Sequence, residues 1–204
     1  MTLICYLTAG AVNLFWLILG DRLSLPVQMA IPILTVLLAG TGVLLRLRKL
    51  RGEQRRRYRT GALWVLLLYY LCILSVLLFF GGLFHLDRGY GGAVNLEPFH
   101  TIRNYIIYYR RTGSFVSVTN LLGNVLAFVP LGLLLPLLWP FFRSWHRTVL
   151  AGMLFSAGIE LMQLFTFRVT SVDDVLLNGL GALAGYWLAF PWLWQRRLAE
   201  GRAP

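Results

Sequence analysis

The sequence predicts an all-α fold: a polytopic membrane bundle of six transmembrane spans with one amphipathic helix at the extracytoplasmic interface. Hydrophobic residues make up 58% of the 204-residue chain and charged residues only 13%. The mean hydropathy is +0.68, well above that of a soluble domain. The apolar residues gather in runs of about 20, which is the length needed to cross a bilayer as a helix. No linker or repeat separates these runs, so one membrane domain is expected.

Six apolar runs define the predicted spans. They cover residues 1–20, 27–45, 61–84, 120–139, 148–167 and 174–194. Residues 1–84 then hold the first three spans with a basic loop. Residues 85–194 hold the interfacial helix and the last three spans, and residues 195–204 form a cytoplasmic tail.

The distribution of positive charge predicts the orientation. Eight of the 19 Lys and Arg residues lie between Arg46 and Arg59. A short basic loop between two spans marks the cytoplasmic side and suits anionic lipid, so membrane lipids rather than nucleic acid are the expected partners. With both termini in the cytoplasm, 13 of the 19 basic residues lie inside and six outside. This predicts a multi-pass protein of the plasma membrane, and it leaves the oligomeric state open.

Both cysteines lie in apolar runs. Cys5 and Cys72 have no neighbours at metal-ligand spacing and form no disulfide framework, so we expect two buried thiols. The sequence predicts neither a metal site nor a cofactor.

The last two spans carry unusual polar groups. Glu160 sits inside the fifth span, and Gln163 follows three residues later on the same helical face. Asp173 and Asp174 open the sixth span, where a carboxylate suits the positive end of a helix. Gly181, with Gly185 four residues on, gives a spacing that lets membrane helices pack closely.

The buried polar residues are predicted to lie at similar depth. Asn124, Glu160 and Asn178 are each four to seven residues from the outer ends of their spans, or roughly 6–10 Å deep at ~1.5 Å per residue. Exposing each of them to lipid would cost a few kcal/mol, so we expect convergence in one pocket open to the exterior. Arg168 lies in the outer turn beside it.

Each of these residues also has a structural interpretation. Glu160 is either a ligand contact or acid/base group, or a hydrogen-bonding group that holds helices together. Of Asp173 and Asp174, one is expected to cap a helix and the other to act on a ligand. Arg168 either grips a phosphate or carboxylate, or snorkels to the interface. Asn124 and Asn178 favour interhelical hydrogen bonds over direct ligand contact.

The long connection before the fourth span predicts a helix of its own. After Pro98, the apolar and aromatic residues Ile102, Tyr105, Ile106 and Tyr109 recur at helical spacing. Such a helix lies in the outer interface and forms a lid or collar beside the pocket.

Five motifs in this order resemble the VanZ-like family of bacterial membrane proteins. They are Asn95-Leu96 with Pro98-Phe99, Asn120 with Gly123-Asn124, F-V-P-L-G from Phe128, I-E-L-x-Q from Ile159, and Arg168 followed by V-D-D-V-L-L-N-x-L-G from Val172. The resemblance covers roughly residues 95–186 and leaves out the first two spans and the basic loop.

The resemblance implies a function without an established reaction or cofactor. The family's namesake lowers susceptibility to the lipoglycopeptide antibiotic teicoplanin. The positions that match the family's signature polar residues are Asn124, Glu160, Gln163, Arg168, Asp173, Asp174 and Asn178. Two positions depart from the pattern: Glu97 replaces an aliphatic residue, and Ser171 replaces an additional Asp, which makes the outer turn less acidic.

The sequence is compatible with three functions. The favoured one is a cell-envelope protein that binds an amphipathic molecule at the outer leaflet, either a lipoglycopeptide or a lipid-linked envelope precursor. The second is a membrane enzyme on lipid-linked substrates with Glu160 and Asp174 as its acid/base pair, although no activated nucleophile or metal triad is present. The third, a transporter, lacks the usual inverted pair of interrupted helices.

Overall fold

The computed structural model describes residues 2–19, 25–75, 94–164 and 170–199. These residues are helical apart from two short strands and brief connections, which confirms the all-α fold class. The chain divides into two compact units, Met1–Leu83 and Phe84–Pro204.

The first unit contains three helices: α1 (Thr2–Leu19), α2 (Leu25–Lys49) and α3 (Gly52–Ser75). The basic stretch, expected to be a loop, is helical instead, because α2 continues to Lys49 and α3 begins only three residues later. Arg and Lys are good helix formers, and cations at the carboxyl end of α2 suit its dipole. The predicted third span begins inside α3, and its last nine residues, 76–84, lie outside the described residues.

The thiols of the first unit differ from expectation. Cys5 is half-buried and Cys72 is exposed, so the prediction of two buried thiols is wrong. An apolar run in a membrane helix does not distinguish a side facing other helices from a side facing lipid.

The second unit is a bundle of helices with a small parallel sheet. Its elements are β1 (Val94–Asn95), α4 (His100–Thr112), α5 (Val116–Leu138), a 3-10 turn (Pro140–Phe142), α6 (Trp145–Leu164), β2 (Thr170–Ser171) and α7 (Val172–Ala199). Val94 pairs with Thr170 and Asn95 with Ser171. Helices α5, α6 and α7 match the last three predicted spans within about five residues at each end, as is usual for helix boundaries.

Helices α5 and α7 run parallel and approach very closely. A Cβ added at Gly181 would lie 2.0 Å from the carbonyl oxygen of Val125, and one added at Gly185 would lie 2.1 Å from that of Val129. Gly132 meets α7 in the same way, 2.0 Å from the carbonyl oxygen of Ala182. The predicted close packing through Gly181 and Gly185 is therefore present, with α5 as the partner.

Helix α6 runs antiparallel to α7. The side chain of Ser156 meets that of Asn178, and Gly179 and Ala182 lie against Met153 and Gly152. Residue numbers in α6 thus fall as those in α7 rise. The start of α5, the end of α6 and the start of α7 consequently lie at the same end of the bundle.

The apolar character of the helices fits a lipid environment. Three described helical segments are long and apolar enough to cross a membrane, namely Gly52–Ser75, Val116–Leu138 and Val172–Gln195. In the second unit Leu126, Leu154 and Trp187 are each more than half exposed, while several polar side chains are buried. Apolar residues outside and polar residues inside are typical of a bundle in a bilayer.

Candidate functional site

A group of polar side chains lies buried between α5, α6 and α7, and we call it the polar cluster. It consists of Asn124 on α5, Ser156, Glu160 and Gln163 on α6, and Asp174 and Asn178 on α7. Ser156 is completely buried, and Glu160, Gln163 and Asn178 are each at least nine-tenths buried. Asn124 and Asp174 are half-buried. The predicted polar residues on these three helices thus collect at one end of the bundle.

Hydrogen bonds within the polar cluster link α7 to both α6 and α5. The side-chain amide of Asn178 donates to Ser156 Oγ at 2.7 Å, and that of Asn124 donates to Asp174 Oδ1 at 2.5 Å. The interhelical links expected of both asparagines are therefore present. Asp174 and Asn178 are one turn apart, so a single face of α7 binds α6 and α5.

Glu160 lies at the level of Asp174. It is one turn beyond Ser156 on α6, and Asp174 is one turn before Asn178 on α7, so the antiparallel register brings the two acidic residues to equal depth. Thr170 Oγ1 donates to the backbone carbonyl of Glu160 at 3.4 Å, which ties β2 to the end of α6. Gln163 lies one turn closer to the end of α6.

One buried acceptor stands out in the polar cluster. Asn178 Oδ1 accepts no hydrogen bond from any residue in the described ranges. An amide oxygen removed from water without a donor costs on the order of 1–3 kcal/mol. The cluster therefore offers an acceptor to a donor group from outside it.

Asp173 has a different role from Asp174. Its side chain is fully buried, and it accepts hydrogen bonds from the backbone N–H of Phe99 at 2.5 Å and of Ile102 at 3.1 Å. These are donors of the first turn of α4, which has no side-chain cap of its own. Asp173 thus caps α4, through bonds to residues 74 and 71 positions earlier in the sequence, rather than its own helix α7.

Several further contacts hold α4 against β2 and the start of α5. Thr101 and Ser171 share a hydrogen bond between their hydroxyls at 2.8 Å, and the Asn120 amide donates to the Tyr105 hydroxyl at 3.2 Å. Asn95 Oδ1 accepts from the backbone N–H of Glu97 at 3.1 Å, which folds the turn before α4. The amphipathic helix predicted after Pro98 therefore exists and is attached where α5 and α7 begin.

Sequence reasoning missed Ser156, Thr101 and the structural role of Ser171. Ser156 precedes Glu160 by one helical turn inside an apolar run, and that spacing was the available signal. Thr101 and Ser171 meet where β1 pairs with β2. Strands of two residues are too short to be predicted from a sequence pattern. Arg168 lies outside the described residues.

A family model described as VanZ/LLP1 matches residues 62–195, well over half of the chain. The chain belongs to the VanZ/LLP1 family. No curated protein and no solved structure gives a significant match.

The VanZ/LLP1 match covers every residue of the polar cluster. It begins within α3, past the basic stretch, and ends within α7, so it extends beyond the motifs between residues 95 and 186 and leaves out α1 and α2. Membership of this membrane family and three long apolar helices together indicate that the protein associates with a membrane.

Proposed function

We propose that this VanZ-like protein binds an amphipathic ligand at the outer leaflet of a bacterial plasma membrane and thereby lowers susceptibility to lipoglycopeptide antibiotics such as teicoplanin. In this proposal the chain crosses the membrane six times with both termini in the cytoplasm. The end of the bundle that carries the polar cluster then faces outward. A lipid-linked envelope precursor shares the same chemistry, a polar head with an acyl tail.

The buried oxygen of Asn178 carries the proposal. It belongs to a side chain that donates to Ser156 and lies one helical turn from Asp174, and within the described residues it accepts no hydrogen bond. A polar cluster that served only to join helices gains most when every group is paired. An unpaired acceptor at this position supports the proposal that a ligand with an N–H or O–H donor binds here.

The neighbouring groups suggest how a ligand is held. Asp174 contacts the polar head at the rim, with Asn124 holding the Asp174 carboxylate in place. Arg168, which lies outside the described residues, is predicted from the sequence to contact the head as well. Glu160, at the same depth as Asp174, and Gln163, one turn nearer the end of α6, bind the head from the facing helix. Asn178 binds it one turn deeper, where low polarity strengthens each hydrogen bond. Asp173 contributes indirectly, because it fixes α4 beside the opening. The apolar faces of the bundle receive the acyl tail.

Susceptibility of cells tests the proposal. We expect a bacterial host that expresses the protein to tolerate more teicoplanin than the same host without it, and to lose this tolerance with Glu160→Ala. Glu97→Ala is the matched control, because Glu97 is an exposed carboxylate before α4. Equal tolerance in cells that hold Glu160→Ala and wild-type protein at equal membrane levels refutes the proposal.

The level alignment of Glu160 and Asp174 favours a second candidate, an enzyme acting on lipid-linked envelope substrates. Two carboxylates at one depth on facing helices have the arrangement that an acid/base pair needs. Glu160→Gln separates the candidates, since it keeps hydrogen bonding and removes proton transfer. If the protein is an enzyme, the Glu160→Gln variant loses turnover and keeps its affinity for the substrate. If it is a binding protein, the variant keeps its ligand affinity and its function.

A further inference from the structure

The first unit contains a cavity of about 670 Å³ between α1, α2 and α3. Its wall is almost entirely apolar, with residues such as Val43, Leu47 and Leu66. The polar side chains include Tyr6, Tyr58 and Arg59. The volume falls in the range of about 300–1,000 Å³ that is usual for small-molecule sites.

Three glycines, one on each helix, keep this cavity open. Gly10, Gly40 and Gly61 all line it, and a Cβ added at any of them would meet no atom within 4 Å. Gly42, on the same helix as Gly40, has no such free space, because a Cβ added there would lie 2.8 Å from the ring of Tyr6. Gly42 serves helix packing, while the other three leave room for an occupant.

Polar groups gather at one end of the cavity. Tyr6 on α1 and Tyr58 on α3 share a hydrogen bond between their hydroxyls, and Arg59 follows directly. The end of α2 lies there too, because Tyr6 packs on Gly42 near its last turns. The opposite end is lined by Thr35 and Tyr69, deeper in the apolar parts of α2 and α3.

The polar end is strongly basic. Eight exposed Lys and Arg residues lie in the last turns of α2, the two-residue break and the first turns of α3: Arg46, Arg48, Lys49, Arg51, Arg55, Arg56, Arg57 and Arg59. Glu53 is the single acidic residue of this stretch, and it pairs with Arg57 at 3.0 Å. The mouth of the cavity therefore attracts an anion.

The length of the cavity matches one leaflet of a bilayer. Along α2 its lining extends from Thr35 to Leu47, which corresponds to about 18 Å at ~1.5 Å per residue. Half of a typical hydrocarbon core is about 15 Å thick. An acyl chain that begins at the basic end thus ends near the far end of the cavity.

We infer that this cavity is a binding site for an anionic glycerophospholipid, whose phosphate lies at Arg59 and the Tyr6–Tyr58 pair and whose acyl chain lies between the three helices. The basic residues select the anionic head, and Gly10, Gly40 and Gly61 make room for the chain. This site lies in residues 6–69 and does not depend on the proposed function of the polar cluster.

Native mass spectrometry with two defined lipids tests the inference. The full-length protein in detergent is mixed with phosphatidylglycerol or with phosphatidylcholine of identical chains. We expect one phosphatidylglycerol molecule to be retained at least about tenfold more tightly than phosphatidylcholine, a difference of about 1.4 kcal/mol. Equal retention of the two lipids by the wild-type protein overturns the inference.

Substitutions that fill the cavity locate the bound lipid. Gly40→Leu is expected to reduce phosphatidylglycerol retention at least tenfold, whereas the control Gly158→Leu, on the exposed side of α6, leaves it unchanged. Gly10→Leu and Gly61→Leu repeat the test on α1 and α3. Leucine is the better helix former, so folding of the helices is favoured in each variant.

Charge removal tests the headgroup. Arg59→Gln is expected to reduce the preference for phosphatidylglycerol over phosphatidylcholine, while Arg57→Gln, at an exposed residue paired with Glu53, changes it less.

Unchanged phosphatidylglycerol retention in folded Gly40→Leu contradicts the inference. So does a lipid-independent change from oligomer to monomer in that variant, because the cavity of the wild-type protein then holds a second copy of the chain.

Discussion

The carboxylate of Asp173, in the first turn of α7, accepts a hydrogen bond from the backbone N–H of Phe99, directly before α4. Phe99 has a φ of 66°, a left-handed conformation that is unfavourable for a residue with a bulky side chain. This conformation aims its N–H at α7. A buried acid at the site therefore positions the amphipathic helix that adjoins the polar cluster.

Removal of this cap should loosen α4. Asp173→Ala leaves the N–H groups of Phe99 and Ile102 without their acceptor, so we expect the free energy of unfolding to fall by about 3 kcal/mol. Thermal unfolding in detergent and amide exchange of α4 measure the effect. Asp173→Asn keeps one acceptor oxygen and should be intermediate. Unchanged exchange in α4 of Asp173→Ala would show that the cap is unimportant.

The link between α6 and α7 should contribute modestly to stability. The Asn178–Ser156 hydrogen bond is buried, and interhelical hydrogen bonds in membranes contribute about 0.6 kcal/mol on average and up to about 1.7 kcal/mol. A double-mutant cycle with Ser156→Ala and Asn178→Ala is expected to give a coupling energy in this range. A coupling energy of zero would argue that the two side chains do not interact.

The contact of α5 with α7 should tolerate no added side chain. Gly185→Ala places a methyl group 2.1 Å from the carbonyl oxygen of Val129, so the helices must separate and stability should fall by about 3 kcal/mol or more. Gly158→Ala is the matched control, since its Cβ meets nothing within 4 Å. Thermal unfolding of both variants checks this. Equal stability would mean that α5 and α7 are farther apart.

The orientation of the second unit is testable by labelling. With Cys5 and Cys72 replaced by serine, Thr112→Cys, at the end of α4, should react with an impermeant maleimide in intact cells. His146→Cys, at the start of α6, should react only after the membrane is opened. Both positions are exposed. The reverse pattern would place the polar cluster on the cytoplasmic side.

Much of the second unit follows from local patterns. The spacing of Glu160 to Gln163, the acidic start of α7 and the pair Gly181 and Gly185 predict a helical hairpin with a polar face, and this hairpin is present. These features depend on residues within a few turns of one another. Helical periodicity alone is enough to place them.

The remaining features depend on distant contacts. Nothing near Asp173 in sequence indicates that it caps α4, because α5 and α6 lie between the two elements and the contact joins residues 74 positions apart. The polarity of the charged stretch from Arg46 to Arg59 predicts a loop. The stretch is largely helical instead, because Arg and Lys have high helix propensity. The exposure of Cys72 was equally unpredictable, since lipid-facing and helix-facing positions are both apolar in a membrane protein.

Direct binding of teicoplanin tests the central claim, that the polar cluster is a ligand site. The protein in nanodiscs is titrated with labelled teicoplanin as wild type, as Glu160→Ala, as Asn178→Leu and as the exposed control Glu97→Ala. We expect the Kd to rise at least about tenfold for the two cluster variants, corresponding to about 1.4 kcal/mol, and to stay unchanged for Glu97→Ala. An unchanged Kd for folded Glu160→Ala and Asn178→Leu would contradict the account.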